Sequence, residues 1–384
     1  MTVQKGGALA KRDLTEGSII GNILYMGVPS MIGFAAMVIY ELTDMFWVAR
    51  LGAARVAAVT LFASFAWVIG SINQLVGAGS VALISRRFGE KDIRGTENAI
   101  EQTLALKFLI GLPMGIVGYF TIASILRLMT SDTGVIELGT AYGRIFFLGL
   151  PFMFTSYSVY TALRGIGDAP KAMYIMLFST GLNMGLDPIF IIWLGLGIRG
   201  AAIATVISAI TAVTVGIAVL ASGRERVRIG RSRFRFDWNV IRKIVEIGFP
   251  PFIEGVARSV AFWLLAIFVA TYGTLIVASY GICTRIIEFG IIFAVGLEMG
   301  SSAIIGQSLG AGKPERAEST ARKSALLALA VALVLSAIEL GFGKEIMQVF
   351  GKSAEVKTKG AEVLAYFAIS QPFVAAAIGL SSAF

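Results

Sequence analysis

The sequence has 384 residues, of which 56% are apolar and 15% are charged, and its mean hydropathy is +0.80. Soluble domains average about 45–50% apolar and about 25% charged residues. One water-soluble fold cannot bury this much apolar surface, so the composition excludes a soluble enzyme and a disordered chain and predicts a polytopic membrane protein. There is one cysteine, Cys283, and no histidine, which removes an intrachain disulfide and the commonest metal ligand and neutral-pH base.

Ten apolar segments long enough to cross a bilayer follow one another along the chain. They cover residues 19–48, 56–84, 99–128, 137–162, 170–194, 199–221, 245–270, 276–304, 322–343 and 360–383. Since about 20 apolar residues span a bilayer as a helix, the sequence predicts an all-α protein with ten membrane-spanning helices. The first segment is too long for a cleaved leader, so we interpret it as helix one.

Lys and Arg concentrate at the N-terminus and in the even-numbered loops, above all in the segment 222–243. The positive-inside rule therefore predicts that the N-terminus and this segment lie in the cytoplasm. We interpret segment 222–243 as a topology signal and a linker between two lobes. Binding of anionic lipid or nucleic acid by this segment is the less favoured alternative.

The chain contains an internal repeat with an offset of 221 residues. The residues that match are mostly Gly and Pro: Gly27-x-Pro29 with Gly248-x-Pro250, Gly52 with Gly273, Gly79-Ser80 with Gly300-Ser301, and Gly89 with Gly310. Six spans separate equivalent points, so both halves enter the membrane in the same direction, as in transporters built from parallel repeats. This predicts an N-lobe of six helices at 1–221, the basic cytoplasmic linker at 222–243 and a C-lobe of four helices at 244–384.

Polar residues inside the spans concentrate in the first half. They are Tyr40, Glu41 and Asp44 in helix one, Asn183 and Asp187 in helix five, and Thr205 in helix six. If the helices face one another, these groups form a set of oxygen ligands for a hard cation, or a carboxylate pair that holds a proton. A static hydrogen-bond network is the alternative, which two acids without a base disfavour. Glu41 is expected to face a neighbouring helix or the outer surface instead.

The second half carries a different set of charges. The position that matches Asp44 is Leu265, so the acid site is not duplicated. Residues spaced for salt bridges within one helix are Glu254 with Arg258, and Arg285 with Glu288. We interpret both pairs as structural or gating, with substrate contact as the alternative. Glu298 lies further along helix eight, and Glu339 is expected at the membrane interface.

Several Met and aromatic residues are candidates for lining a substrate cavity, because such side chains suit flat, cationic or varied ligands. They are Met31, Phe34, Met37, Phe62, Tyr157, Tyr160 and Met184. The sequence lacks a Walker A motif and, without histidine, a Ser/His/Asp set. It therefore predicts neither an ATP-driven pump nor an enzyme.

The chain resembles the multidrug and toxic compound extrusion (MATE) family of secondary antiporters, and within it the prokaryotic group related to the DNA-damage-inducible F protein. The resemblance lies in Asp13-Leu-Thr-Glu-Gly17, Pro29 with Tyr40 and Asp44, Arg164-Gly-x-Gly-Asp168-x-Pro170, Asn183-x-x-x-Asp187-Pro188, Thr205, and Gly310-x-Gly312-x-Pro314. It implies two six-helix lobes that form a V. It also implies that Asp44, Asn183, Asp187 and Thr205 bind Na⁺ or H⁺, that Tyr40 joins their network, and that helix one bends at Pro29 on protonation.

The resemblance implies a monomeric antiporter in the plasma membrane of a prokaryote that exports cationic or amphipathic drugs, with lipid around it, no nucleic-acid partner and no cofactor besides the coupling ion. The family has twelve helices and this sequence predicts ten, so the second repeat stops at the equivalent of Leu163. The alternatives are a lipid-linked saccharide flippase of the wider superfamily and, in another class, a receptor or channel without coupled flux.

Overall fold

The computed structural model describes residues 12–223, 226–230, 234–350 and 354–381, which form ten α-helices and one π-helical turn. The helices are α1 (Ile19–Ala49), α2 (Ala53–Gly89), α3 (Ile93–Met129), α4 (Thr133–Gly165), α5 (Ala169–Pro188), α6 (Ile198–Ala221), α7 (Trp238–Ala270), α8 (Thr274–Gly310), α9 (Pro314–Phe350) and α10 (Ala354–Ser381), with the π-helical turn Ile189–Trp193 after α5. The ten predicted segments follow the ten α-helices in order; the fifth, 170–194, also covers the π-helical turn, and the last, 360–383, extends beyond the described residues. The all-α prediction is confirmed.

Eight of the described helices are long and apolar enough to cross a membrane. The helix α2 makes a ninth if its two parts, Ala53–Ala66 and Ile69–Gly89, are counted as one bent span. Large apolar side chains such as Phe120 and Leu128 point away from the protein. Such a surface is stable only in lipid, and the chain is a multi-pass membrane protein.

Local sequence explains where several helices begin. Five of them start after a side chain that accepts a hydrogen bond from a first-turn N–H: Ser18, Asp92, Asp132, Asp168 and Asp237. In contrast, α2 and α8 begin after Gly52 and Gly273, whose φ angles of 110° and 90° favour glycine. These two glycines are equivalent in the repeat, so the same backbone turn occurs in both halves.

The helices pack into two groups. In the first group α4 lies against α2, α3, α5 and α6, and α1 packs on α5; in the second group α8, α9 and α10 pack on one another. The helix α7 packs chiefly on α2 of the first group. We keep the terms N-lobe for α1–α6 and C-lobe for α7–α10 from the sequence analysis, and this division of the chain stays a prediction. We call the end of the bundle where α1, α3, α5, α7 and α9 begin the basic end.

The lobes meet at the basic end through glycines that let helix backbones touch. A Cβ added at Gly300 of α8 would lie 2.7 Å from the backbone nitrogen of Gly27 in α1, and one added at Gly79 of α2 would lie 3.0 Å from that of Gly248 in α7. The repeat offset converts one pair into the other, since Gly27 matches Gly248 and Gly79 matches Gly300. The two lobes are therefore related by a pseudo-twofold axis.

A third contact lies on that axis. A Cβ at Gly89 of α2 would overlap the carbonyl oxygen of Gln307 in α8, and a Cβ at Gly310 of α8 would overlap the carbonyl oxygen of Arg86 in α2. Gly89 matches Gly310 and Arg86 matches Gln307 in the repeat. The pseudo-twofold axis therefore maps this contact onto itself. The glycines that mark the repeat in the sequence are thus the residues at which the lobes touch.

We expect Gly248→Ala to weaken the contact between α2 and α7, because the added Cβ would overlap the backbone carbonyl oxygen of Leu75. Such overpacking costs about 1–3 kcal/mol, so the apparent melting temperature of the full chain in detergent should fall. Gly255→Ala is the matched control, since it lies on the same helix with nothing within 4 Å of its added Cβ. Equal melting temperatures for the two variants would contradict this close approach.

Candidate functional site

Two carboxylates predicted to form the site lie together inside the N-lobe. Asp44 of α1 is 7% exposed and Asp187 of α5 is fully buried. They are close enough to interact electrostatically. One oxygen of each, Oδ1, is buried without a hydrogen-bond partner in the described structure. Since buried carboxylate oxygens are costly to leave unpaired, this pair has the chemistry of a site for a cation or a proton.

Asn183 and Thr205 complete the polar wall of this site. The buried Asn183 amide satisfies both of its ends when its nitrogen donates to Asp187 Oδ2 at 3.3 Å and its oxygen accepts from the Thr205 backbone N–H at 3.1 Å. The Thr205 hydroxyl donates to the carbonyl of Ala201 at 3.1 Å. Its oxygen keeps a lone pair free to accept. The structure therefore brings together the four residues that the sequence analysis grouped.

Two tyrosines lie beside the carboxylates. The Tyr40 hydroxyl lies beside the Thr205 side chain, close to the predicted network. Tyr142 of α4 was not singled out from the sequence, yet it is buried and interacts electrostatically with Asp44, Asp187 and Tyr40. Its ring packs edge-on against Phe62 at 5.1 Å. A single tyrosine on an apolar helix looks like a core residue, so the pattern gave no signal for it.

The backbone after Asp187 explains how α5 and α6 bring their polar groups together. The α-helix ends at Pro188 and widens into the π-helical turn, a local form that is common at functional sites. Gly200 at the start of α6 lies against the backbone of Phe190, where a Cβ would come within 2.6 Å. This close return of the chain places Thr205 beside Asn183.

Helix α1 stays helical through Pro29. Proline has no N–H to donate, so the carbonyl of Tyr25 lacks its usual helical partner. The next carbonyl along, that of Met26, accepts a hydrogen bond from Ser30 Oγ at 2.9 Å. The effect of Pro29 is thus a local loss of hydrogen bonding within a continuous helix.

The charged pairs predicted in the C-lobe are formed. Arg258 Nη1 lies 3.5 Å from Glu254 Oε1, and Arg285 Nη1 lies 2.9 Å from Glu288 Oε2. All four side chains are more than half exposed. Glu41 of α1 is exposed as well; it interacts electrostatically with Arg285 and Glu288 of the other lobe and also with Asp44.

Glu298 lies between the lobes, where charges of both signs meet. It interacts electrostatically with Arg164 of α4 and with Arg258 and Glu254 of α7. Arg164 also lies 5.9 Å from the centre of the Tyr157 ring. The surroundings of Glu298, where the lobes face each other, therefore present acids and bases, with no single sign of charge.

The candidate cavity residues separate into two sets. Phe62 and Tyr160 lie in the core, because Phe62 packs against three aromatic rings and Tyr160 bonds Ser179 of α5 at 3.2 Å. Less buried are Met31, which packs against Gly296 of the other lobe, and Phe34, Met37, Tyr157 and Met184. The role of this second set in lining a cavity stays a prediction.

Lys107 is a buried cation that the sequence analysis did not assign a role. It is fully buried on α3, donates to the carbonyl and side-chain oxygens of Asn73, and lies 5.1 Å from the Tyr157 ring centre and 5.8 Å from that of Phe154. These contacts satisfy it within the N-lobe. A lone lysine in an apolar helix gave no indication of them.

Glu339 is buried within the C-lobe. It is 7% exposed on α9, and its Oε2 atom has no described hydrogen-bond partner. The helices α8 and α10 pack on α9. Its expected place at the membrane interface stays a prediction.

Comparison with known proteins identifies the family. The MatE family model matches residues 29–189 and 250–384, well over half of the chain. A curated relative, the "Probable multidrug resistance protein YoeA" of Bacillus subtilis, is 29% identical over 331 residues, which are 84% of this chain and 72% of that protein.

Solved structures agree with the family model. One, described as the outward-facing conformation of a multidrug resistance MATE family transporter, has a TM-score of 0.88 and 27% identity and covers 98% of this chain and 86% of its own. Another is a MOP superfamily transporter from Pyrococcus furiosus for which a reverse polarity of the binding pocket suggests a different function; its TM-score is 0.87 and its identity 26%, with the same coverage. The chain belongs to the MatE family of membrane transporters.

Proposed function

We propose that the protein is a secondary antiporter that exports cationic or amphipathic organic compounds in exchange for Na⁺ or H⁺. The observation that carries this proposal is the pair of buried carboxylates, Asp44 and Asp187, whose Oδ1 atoms lack partners in the described structure. Two neighbouring carboxylates cannot both stay ionised in a buried site without a counter-charge. A cation or a proton supplies it.

The donors around the pair fit either ion. Asp44, Asp187 and Thr205 present oxygen atoms, which are the ligands that hard cations prefer, and Asn183 fixes Asp187 by a hydrogen bond. The same pair holds one proton when no metal ion is bound. Tyr40 positions the Thr205 hydroxyl in this network, and Pro29 is where α1 bends when the charge of the pair changes.

The direction of transport follows from the charge pattern. We assign the basic end, with the N-terminus and segment 222–243, to the cytoplasm of a prokaryotic cell. The glycine contacts then close the cytoplasmic side, which makes this the outward-facing state. The likeness to an outward-facing family structure supports the assignment. Ions from outside would reach the acid pair in this state, and export follows once the lobes rock to the other state.

The cleft supports an organic substrate with a cationic or amphipathic character. Glu41, Glu254 and Glu298 offer negative charge, and Met37 and Phe34 offer adaptable apolar contact. We expect a monomer in contact with lipid. The cleft also holds three arginines, Arg164, Arg258 and Arg285. Because guanidinium groups bind phosphate, this observation favours the second candidate, a flippase for lipid-linked saccharides, which carry phosphate.

One experiment decides between these functions. The full chain is reconstituted in proteoliposomes, and Na⁺ and H⁺ gradients are imposed one at a time while efflux of a fluorescent organic cation is recorded. We expect one gradient to drive efflux. Transbilayer movement of a lipid-linked saccharide in the absence of either gradient, without drug efflux, would support the flippase, and ion flux without drug movement would support a channel.

Asp44→Asn should abolish ion-driven efflux, because it keeps the shape of the side chain and removes the charge that attracts the ion. We expect the initial rate to fall by at least about tenfold, the effect of losing one charged interaction of about 1.4 kcal/mol. Glu137→Gln on α4 is the control, since it removes an exposed carboxylate that none of the described interactions joins to the pair. Wild-type efflux by a folded Asp44→Asn protein would contradict the site.

Thr205→Ala should weaken ion binding while Thr214→Ala should not. Both hydroxyls donate to a carbonyl of their own helix, at 3.1 Å and 2.8 Å, but only Thr205 adjoins Asn183 and Tyr40. Comparing the two variants therefore distinguishes an effect on the ion site from an effect on the stability of helix α6. We expect about a tenfold rise in the ion concentration needed for half-maximal efflux with Thr205→Ala. Identical ion dependence in the two variants would exclude Thr205 from the site.

A further inference from the structure

The segment Asp13–Gly17 in front of α1 forms a compact turn at the basic end. The backbone N–H and the hydroxyl of Thr15 donate to Asp13 Oδ1 at 2.9 Å and 2.8 Å. Burial by itself raises the pKa of Asp13, but these bonds and the charges of Arg226 and Lys313 outweigh it and lower the pKa, so the carboxylate stays ionised and keeps the turn closed. Gly17 ends the turn with a φ of 69°.

The N-lobe holds this turn from one side. Leu14 is 1% exposed and lies against Gly167 in the loop between α4 and α5. Asn22 of α1 directs its Nδ2 to the carbonyl of Leu14 at 3.1 Å and to that of Glu16 at 2.9 Å. The turn is therefore anchored by both an apolar side chain and a buried amide.

The C-lobe holds the same turn from the other side. Arg316 of α9 donates from Nε and Nη2 to the Leu14 carbonyl at 3.2 Å and 3.0 Å, from Nη2 to the Glu16 carbonyl at 2.8 Å, and from Nη1 to the Gly17 carbonyl at 3.0 Å. Lys313 adds a bond from Nζ to the Thr15 carbonyl at 3.1 Å. Four successive carbonyls thus accept hydrogen bonds from the C-lobe.

The carbonyls of Leu14 and Glu16 accept from both lobes at once, from Asn22 on one side and Arg316 on the other. When the basic end opens, the turn can follow only one lobe, so one of these two sets of bonds must break. Hydrogen bonds from a guanidinium are charge-assisted and stronger than neutral ones. The bonds therefore stabilise the closed basic end specifically and are lost in the open state.

We propose that segment 13–17 is a clasp that holds the two lobes together at the basic end, and that Arg316 is the positioning residue that sets the equilibrium between the closed and open states of that end. The inference rests on the proposed function, since it assigns the clasp a place in alternating access. The clasp gives a role to the N-terminal motif Asp13-Leu-Thr-Glu-Gly17, which has no part in the ion site.

The test measures the distance between the lobes directly. Spin labels are placed at Arg94→Cys on α3 and Glu318→Cys on α9, which are exposed positions in the first turns of helices of different lobes. Cys283 is buried, so it stays unlabelled. Distance distributions of the full chain in nanodiscs give the ratio of closed to open basic ends.

We expect Arg316→Ala to lower the closed-to-open ratio at least about tenfold, the effect of losing charge-assisted hydrogen bonds, and Arg316→Lys to lower it less. Leu14→Ala should shift it in the same direction, because it removes the anchor on the N-lobe. Arg322→Ala is the matched control: it removes the same charge from an exposed position on the same helix and should leave the ratio unchanged. A wild-type ratio in Arg316→Ala would overturn the clasp.

A second pair of variants keeps the inference testable if Arg316→Ala does not fold. Glu16 Oε1 and Lys313 Nζ lie 3.9 Å apart across the clasp. A cleavable crosslink between Glu16→Cys and Lys313→Cys should stop efflux, and its cleavage should restore it. Undiminished efflux by the crosslinked protein would overturn the clasp, whereas absence of ion-driven efflux from the uncrosslinked protein would overturn the proposed function instead.

Discussion

The structure depends on the direct contact of helix backbones between the lobes. Gly27 meets Gly300, Gly79 meets Gly248, and Gly89 and Gly310 lie against carbonyls of the facing helix, where no Cβ fits. Such packing is stable in a membrane because van der Waals contact between backbones replaces the hydrophobic drive that lipid removes. Because each lobe supplies the equivalent glycine, the requirement for glycine at these contacts applies at two positions 221 residues apart. The repeat can therefore be recognised from its glycines alone.

The acid site is connected to this contact by a single helix. Helix α1 carries Gly27 at the lobe interface and Asp44 at the carboxylate pair, about 25 Å apart along the axis at about 1.5 Å per residue. Pro29 lies between them, close to the interface. A change in the charge of the carboxylate pair that bends α1 would therefore alter the contact between the lobes. It would also shift the clasp, because the clasp directly precedes α1.

The sequence predicts those features that depend on spacing within one helix. The helices and the pairs Tyr40/Asp44, Asn183/Asp187 and Arg285/Glu288 are of this kind. The repeat is visible for a different reason, since its glycines and prolines keep one offset along the chain. The convergence of α1, α5 and α6 could be expected only on the condition that these helices face one another. Which way a single side chain points across the bundle is not encoded in spacing. For that reason the sequence analysis did not single out Tyr142 and Lys107, and it could not separate the core residues Phe62 and Tyr160 from less buried aromatic residues. The clasp could not be predicted from the sequence for another reason. Arg316 binds backbone carbonyls, which every residue has, so no residue type marks its partners.

The two lobes share a backbone plan but not a site, and this difference bears on how transport is coupled. Leu265 stands where the repeat would place a second Asp44, so the coupling ion binds in one lobe under the proposed function. The free energy of ion binding must then reach the C-lobe through contacts that join the lobes. The described contacts of this kind include the glycine interface and the clasp, which joins α9 to the segment directly in front of the helix that holds Asp44. At the equivalent place in the repeat, Asn98 and Gln102 of α3 bind Asp237 and Arg235 in front of α7. Each lobe thus holds the segment that leads into the first helix of the other lobe. Of these two contacts the clasp is the one that adjoins the helix carrying Asp44, so the free energy of ion binding can reach the C-lobe through it.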